Sequence, residues 1–314
     1  MSRRALLLFV ALGVVWGIPY LLIKVALQDL EPTTLVLART SLAALVVLPV
    51  ALARGAVAPV LRRWWPVLAY AVVEIVVPWF FLARAEQHLS SSLTGLLLAG
   101  VPVVGVVIAL ATRRSEQMGV VGGLGLLVGL VGVGLLVGFE GAAAGGGPQV
   151  RAMGELAITV VFYAVGPVIM TRYLADLPAS GVIAVSLAVA SAVYAVPGVL
   201  AAPRQWPSAA TTASVLLLAV VCTALAFFLF FALVAEVGAV RTTLITYVNP
   251  AVAVVAGVLV LDERLTWATV TGFVLVVGGS ALASRRRRAS PVEEAACPLQ
   301  PGTDLAARQA MMES

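Results

Sequence analysis

The sequence predicts an all-α polytopic membrane protein: ten transmembrane helices in two inverted five-helix repeats. Three observations carry that expectation. First, the 314-residue chain is 61% apolar and 11% charged, with a mean hydropathy of +1.07, more apolar surface than a soluble domain of this length can hide. Second, the apolar residues form ten stretches of about twenty, the length that crosses the hydrocarbon core as a helix. They are continuous rather than alternating, which favours helices over a β-barrel. Third, the pattern occurs twice. Pro19, Pro49, Pro59 and Pro102 recur 148 positions later as Pro167, Pro197, Pro207 and Pro250, where chance would give about half a match. Lys24 and Arg172 share that offset; Glu116 and Glu263, Gly125 and Gly272, and Gly132 and Gly279 share one a residue shorter. Five crossings per copy, an odd number, bring the second copy in from the opposite side.

The predicted spans are 5–27, 33–53, 64–84, 91–112, 118–139, 152–174, 179–201, 213–235, 239–261 and 267–284. The first follows Ser2-Arg3-Arg4 and resembles a signal peptide only superficially. Its apolar run is too long, Trp16-Gly17-Ile18-Pro19 interrupts it, and no clean small-x-small cleavage site follows, so it reads as a retained helix. The fifth span is dense in glycine. Its Gly125/Gly129 and Gly134/Gly138 pairs let helix backbones approach closely, and Gly272, Gly278 and Gly279 echo them in the tenth. Packing against a neighbouring helix of the same chain is the expected use, and a homodimer contact is the alternative. Residues 5–139 form the first repeat and 152–284 the second. Residues 140–151, with Gly141 to Pro148 at their centre, form a flexible joint. Residues 285–314 open on Arg285 to Arg288 and then turn polar, a clamp on anionic lipid followed by a disordered tail.

Lys and Arg set the orientation. With the N-terminus in the cytoplasm, Arg3, Arg4, Arg54, Arg62, Arg63, Arg113, Arg114, Arg172, Arg241 and Arg285 to Arg288 flank cytoplasmic ends. Lys24, Arg84, Arg151, Arg204 and Arg264 flank the other side, five against thirteen. Both termini are then cytoplasmic, in a multi-pass protein of the cell (inner or plasma) membrane. The net charge of +5 reports topology and lipid contact, not nucleic-acid binding. Cys222 in a span and Cys297 in the tail lie in different environments and argue against a disulfide. No Walker loop, HExxH or GxSxG is present, which speaks against ATP-driven transport and membrane-embedded hydrolysis. No enzyme activity, cofactor or metal is expected. His88 is a loop histidine without a second ligand nearby.

Ionisable groups inside the bilayer are costly and call for an account. Glu74 lies near the middle of the third span, Arg39 two turns into the second, Lys24 near the outer end of the first. Arg172 and Arg241 read as snorkelling to an interface. Arg39 and Glu74 lie too deep for that. They form either a buried structural ion pair or a pair lining a water-filled cavity in which Glu74 can take up a proton. Pro19, Pro78, Pro102, Pro167 and Pro250 interrupt spans, and each frees a carbonyl one turn earlier that must face protein or a polar cavity. The Pro19/Pro167 and Pro102/Pro250 symmetry points to spans 1, 4, 6 and 9 as cavity walls. Trp16, Tyr20, Trp79, Tyr163, Tyr247 and Asn249 near those kinks are candidate substrate contacts. Trp64, Trp65, Trp206 and Trp267 read as interface anchors. Glu116 and Glu263, each preceding the last span of its copy, suit the positive end of that helix.

The run Trp16-Gly17-Ile18-Pro19-Tyr20-Leu21-Leu22-Ile23-Lys24-Val25-Ala26-Leu27, followed by Pro32 and Arg39, resembles the opening of an EamA domain of the drug/metabolite transporter superfamily. The second copy closes similarly, with Asn249-Pro250, Leu261-Asp262-Glu263-Arg264-Leu265-Thr266 and a glycine-bearing last helix. The resemblance covers about 5–139 and 152–284. It implies two inverted five-helix halves and a central cavity walled mainly by helices 1–4 and 6–9, with helices 5 and 10 peripheral. It also implies efflux or exchange of small metabolites, amino acids or drug-like compounds by alternating access. Arg114-Ser115-Glu116-Gln117 departs from the fuller Glu263-Arg264-Leu265 pattern, and Glu74 is not part of the family pattern. A non-transporting membrane receptor or scaffold is the rival reading. An exposed apolar groove and a long structured tail would favour it; a closed-off polar cavity favours transport.

Overall fold

A lipid interior offers no partner to a backbone amide, so a crossing segment must bond to itself. In the computed structural model, which describes residues 2–111, 120–143, 147–238, 242 and 245–283, every described crossing is helical and no strand occurs among the described residues. The helices are α1 (Arg3–Ala26), α2 (Pro32–Ala53), α3 (Trp64–Glu86), α4 (Ser91–Leu98 continued by Val101–Ala111), α5 (Val120–Ala143), α6 (Gly147–Tyr173), α7 (Ala179–Leu200), α8 (Ala209–Val237), α9 (Ile245–Leu261) and α10 (Trp267–Ala283). Eight are long and apolar enough to cross a membrane, and α9 and α10 contain shorter apolar helices. One short helix, Val57–Arg62, links α2 to α3. Helix runs into the expected joint from both sides, to Ala143 and from Gly147. The tail, Arg241 and Glu116 lie outside the described residues.

The packing follows the repeat. α5 lies along α10, α2 along α7 and α4 along α9. α3 packs on α6, and the pair at corresponding positions of the repeats, α8 on α1, does the same. The glycines expected to permit close approach are used inside the chain. A Cβ at Gly129 would lie 2.8 Å from Val103 Cγ2, and one at Gly132 2.8 Å from both Leu275 Cβ and the Val276 nitrogen. One at Gly279 would strike the Gly129 backbone. Hydroxyls join α2 to α7, where Ser41 and Ser191 lie 2.8 Å apart and Thr34 donates to Gly198 O at 2.8 Å.

The prolines act unequally, which corrects the expectation of symmetric kinks. α1 breaks at Ile18 so that Pro19 begins a fresh helical segment, and α4 breaks between Leu98 and Val101 ahead of Pro102. Pro167 and Pro250 sit inside unbroken helices. Pro78 acts differently again. The turn before it, Val72–Val76, widens to a π-helix, a common response to an interrupted hydrogen-bond ladder. Tyr194 donates to Val76 O at 2.8 Å and Thr159 to Pro78 O at 3.2 Å, so α6 and α7 supply donors to the disturbed backbone. A second π stretch, Leu217–Leu225 in α8, covers the positions 148 residues beyond the first. No proline stands there; Thr223 Oγ1 donates to Leu218 O at 2.8 Å instead.

Candidate functional site

The widened turns of α3 and α8 both contribute to the wall of a cavity of about 460 Å³. Eleven of the thirteen candidate residues line it: Trp16, Pro19, Tyr20, Arg39, Glu74, Trp79, Pro102, Tyr163, Pro167, Asn249 and Pro250. The Tyr247 side chain lies outside the described residues. Lys24 is a correction, because it does not line the cavity. Its ammonium donates to Glu86 O at 2.6 Å and Leu89 O at 2.8 Å, terminating α3 near the far face. An ammonium one turn from a helix C-terminus finds its carbonyls before it finds a cavity.

Arg39 and Glu74 also differ from the expected pair. Both face the cavity, but no carboxylate among the described residues comes within ion-pair distance of Arg39. Its guanidinium lies 3.7 Å from the Trp79 ring centroid, and its Nε donates to Thr223 Oγ1 at 3.1 Å. An indole face and a hydroxyl on the π turn hold the charge where a carboxylate was expected. Glu74 is left with a buried Oε2 that has no hydrogen-bond partner among the described residues. The carboxylate reaches this position because residue 166 is glycine; a Cβ there would collide with it. Asn249 Oδ1 is likewise buried and has no partner among the described residues. An acid, a stacked guanidinium and an amide thus meet among aromatic rings, a polar minimum in an apolar chamber. Trp16 anchors the aromatic wall, with its ring centroid 5.3 Å from Phe230 and 6.4 Å from Phe227.

Several lining residues escaped the sequence reading, among them Tyr70, Cys222, Thr223, Phe227, Phe230 and Thr246. The repeat offset was the signal for two of them. Cys222 stands 148 residues after Glu74, and Phe227 148 after Trp79.

The cavity is one-sided. Towards the face bearing the N-terminus its lining runs to Tyr70, Met170 and Thr246, near the ends of their helices, and Thr246 is exposed. Towards the other face it stops at Tyr20, Leu82 and Gly95. Beyond them Glu86, Leu89, Ser91, Ser92 and Leu93 are buried. Besides the Thr34–Gly198 bond, three carboxylates tie the repeats together on that face. Glu263 accepts from Ser91 N at 2.7 Å and Ser92 N at 2.9 Å. Asp29 accepts from Ser208 N at 2.9 Å and Thr211 Oγ1 at 2.7 Å. Arg84 pairs with Glu155 at 2.8 Å. The hydrogen bonds hold the Asp29 carboxyl below its ordinary value, since they favour the ionised form. Glu263 therefore caps α4, not the helix that follows it. Asp262, in the left-handed region at φ 52°, turns the chain after α9, and Glu263 N–H bonds back to Gly257 O at 3.2 Å. That turn aims the carboxylate at the two free amides opening α4.

Known proteins resemble this chain in fold and in sequence. A solved structure titled only "Crystal structure of protein" superposes with a TM-score of 0.65 at 23% identity, over 90% of this chain and 98% of its own, a likeness of fold. The "Uncharacterized transporter YvbV" of Bacillus subtilis (strain 168) is 27% identical over 294 residues, 92% of this chain and 94% of its own. The profile described as "EamA-like transporter family" matches twice, over residues 3–138 and 153–285. Two matches covering nearly all of the helical chain settle its membership: the protein belongs to the EamA-like transporter family.

Proposed function

We propose that the protein is a secondary transporter, not an enzyme, which exports or exchanges small metabolites of amino-acid-like or drug-like character by alternating access. The observation that carries this reading is the one-sided cavity, open towards the N-terminal face and closed on the other by ties between the repeats. A rocking of one repeat against the other, breaking those ties, would present the same chamber to the opposite side. An amine on the ligand meets Glu74, a carboxylate or other acceptor meets Arg39, and the apolar remainder packs against Trp16, Phe227 and Phe230. The bias of Lys and Arg supports cytoplasmic termini in a cell-membrane protein, and with that orientation the chamber is loaded from the cytoplasm.

The test begins without a known substrate. Metabolites inside and outside cells with and without the protein are compared, and compounds that shift are offered to proteoliposomes. Glu74→Gln keeps the side-chain shape and removes the acid. It is expected to fold and to lose the pH dependence of net flux. A purified, folded protein that moves none of the shifted compounds would end the transport reading. Unchanged pH dependence in Glu74→Gln would end only the role given to that acid.

A further inference from the structure

The face opposite the N-terminus holds a second polar cluster, which the cavity does not use. Glu86, the last residue of α3, has no exposed surface, and both of its carboxylate oxygens lack a hydrogen-bond partner among the described residues. Its main-chain oxygen, not its carboxylate, bonds to the Lys24 ammonium. At the start of α4, Ser91 and Ser92 are 0% and 3% exposed, and their hydroxyls are also unpartnered. These two hydroxyls and Glu263 Oε2 converge over Gly257, where a Cβ would lie against all three oxygens. Glycine at 257 lets these three oxygens, from both repeats, pack against the α9 main chain.

The groups that act on Glu86 are Lys24 and Tyr20 on α1, Arg39 on α2 and Glu263 after α9. Lys24 spends its ammonium on two main-chain carbonyls and Arg39 lies over Trp79, so among the described residues neither cation pairs with the Glu86 carboxylate. An unpaired buried charge is strongly destabilising. The unpartnered atoms here are all hard oxygens, two from a carboxylate and two from hydroxyls, a donor set suited to a small hard cation and unsuited to a soft one.

We propose that Glu86, Ser91 and Ser92, with Glu263 from the second repeat, bind one monovalent cation, a sodium ion or a proton, at a site separate from the substrate cavity. Glu263 comes from one repeat and the other three residues from the other. Opening this face therefore separates the ligands and releases the ion, and closing it captures one. The coupling to transport rests on the function proposed above; the binding itself does not.

The test uses purified full-length protein in lipid nanodiscs. Thermal unfolding is followed as sodium replaces choline at constant ionic strength. Infrared spectra recorded across a pH series report any carboxylic acid buried in the fold. If the ion is sodium, the unfolding midpoint rises with the logarithm of sodium concentration, and Glu86→Gln and Ser92→Ala each abolish the rise. If it is a proton, sodium has no effect, and a buried carboxylic-acid band disappears in Glu86→Gln while persisting in Glu74→Gln. Should Glu86→Gln fail to fold, Glu86→Asp keeps the acid and moves that band, and Ser92→Ala alone decides the sodium case. The absence of both a sodium-dependent midpoint and a band assigned to Glu86 would overturn the proposal. Ion binding without flux of any compound in proteoliposomes would instead count against the transport reading alone.

Discussion

Arg39 is held by Trp79 and Thr223, and that attribution has a measurable signature. A desolvated guanidinium over an indole contributes about 2 kcal/mol, and a hydrogen bond from a charged donor about 1.5–3 kcal/mol. The observed contacts, 3.7 Å to the ring centroid and 3.1 Å to the hydroxyl, are of the quality those values assume. Arg39→Met keeps much of the stem and removes both contacts, so it should cost about 3–5 kcal/mol of stability, in the range for breaking a buried charged interaction. Double-mutant cycles then separate the partners. Arg39→Met with Trp79→Leu should show a coupling of about 2 kcal/mol. Arg39→Met with Glu74→Gln should show less than about 0.5 kcal/mol, as for residues without direct contact. The measurement is equilibrium unfolding in mixed micelles, read by far-ultraviolet circular dichroism so that loss of Trp79 does not alter the signal. A coupling between Arg39 and Glu74 larger than that between Arg39 and Trp79 would refute this account and restore the ion pair.

Other predictions follow from single contacts. Gly166→Ala should displace the Glu74 carboxylate and cost about 1–3 kcal/mol by overpacking, and adding Glu74→Ala should recover most of the loss in a thermal melt. Gly279→Leu should drive α10 away from Gly129 with a similar cost of about 1–3 kcal/mol; a cysteine pair placed across α5 and α10 would cross-link efficiently in the parent and poorly in the variant. Asp29 has its acid dissociation shifted downward by Ser208 and Thr211. Its contribution to stability is therefore full above the ordinary carboxylate range, about pH 4, and is lost as pH falls through the lowered folded value. Asp29→Asn should show a smaller loss of unfolding midpoint on acidification below that range than the parent; an identical acid limb would contradict the assignment.

Much of the fold was legible because lipid imposes a length and a periodicity that composition alone exposes. The ten apolar runs correspond to helices that, among the described residues, pack in pairs at corresponding positions of the two repeats. The cavity was legible for a related reason: Trp16, Tyr163 and Asn249 interrupt apolar runs near prolines, and all three line it. Illegible parts depended on where side chains end. Arg39 and Glu74 lie at similar depth, and nothing in their spacing distinguishes a carboxylate from an indole as the guanidinium's neighbour. Lys24 sits in the family-like motif, yet its target is main chain, which has no letter in the sequence. Glu263 was placed near a helix N-terminus by local order; the left-handed turn at Asp262 sends it to another helix. The second π stretch was hidden because no proline marks it.

The closed face is fastened largely by side chains gripping main chain. Lys24 holds two carbonyls, Glu263 holds two amides, and one of the two bonds to Asp29 comes from the Ser208 amide. Such a clasp has a gene-level asymmetry. Leu89 can drift to almost any residue without loosening Lys24, because every residue carries the same carbonyl. Lys24 and Glu263 themselves have no such freedom, and no compensating replacement at their target positions can restore what their loss removes. Paired substitutions across related chains will therefore be silent about this contact, and a suppressor screen begun from Lys24→Ala should return changes elsewhere in the helices and none at Leu89. These main-chain contacts of the closed face stay invisible to methods that read contacts from two letters changing together.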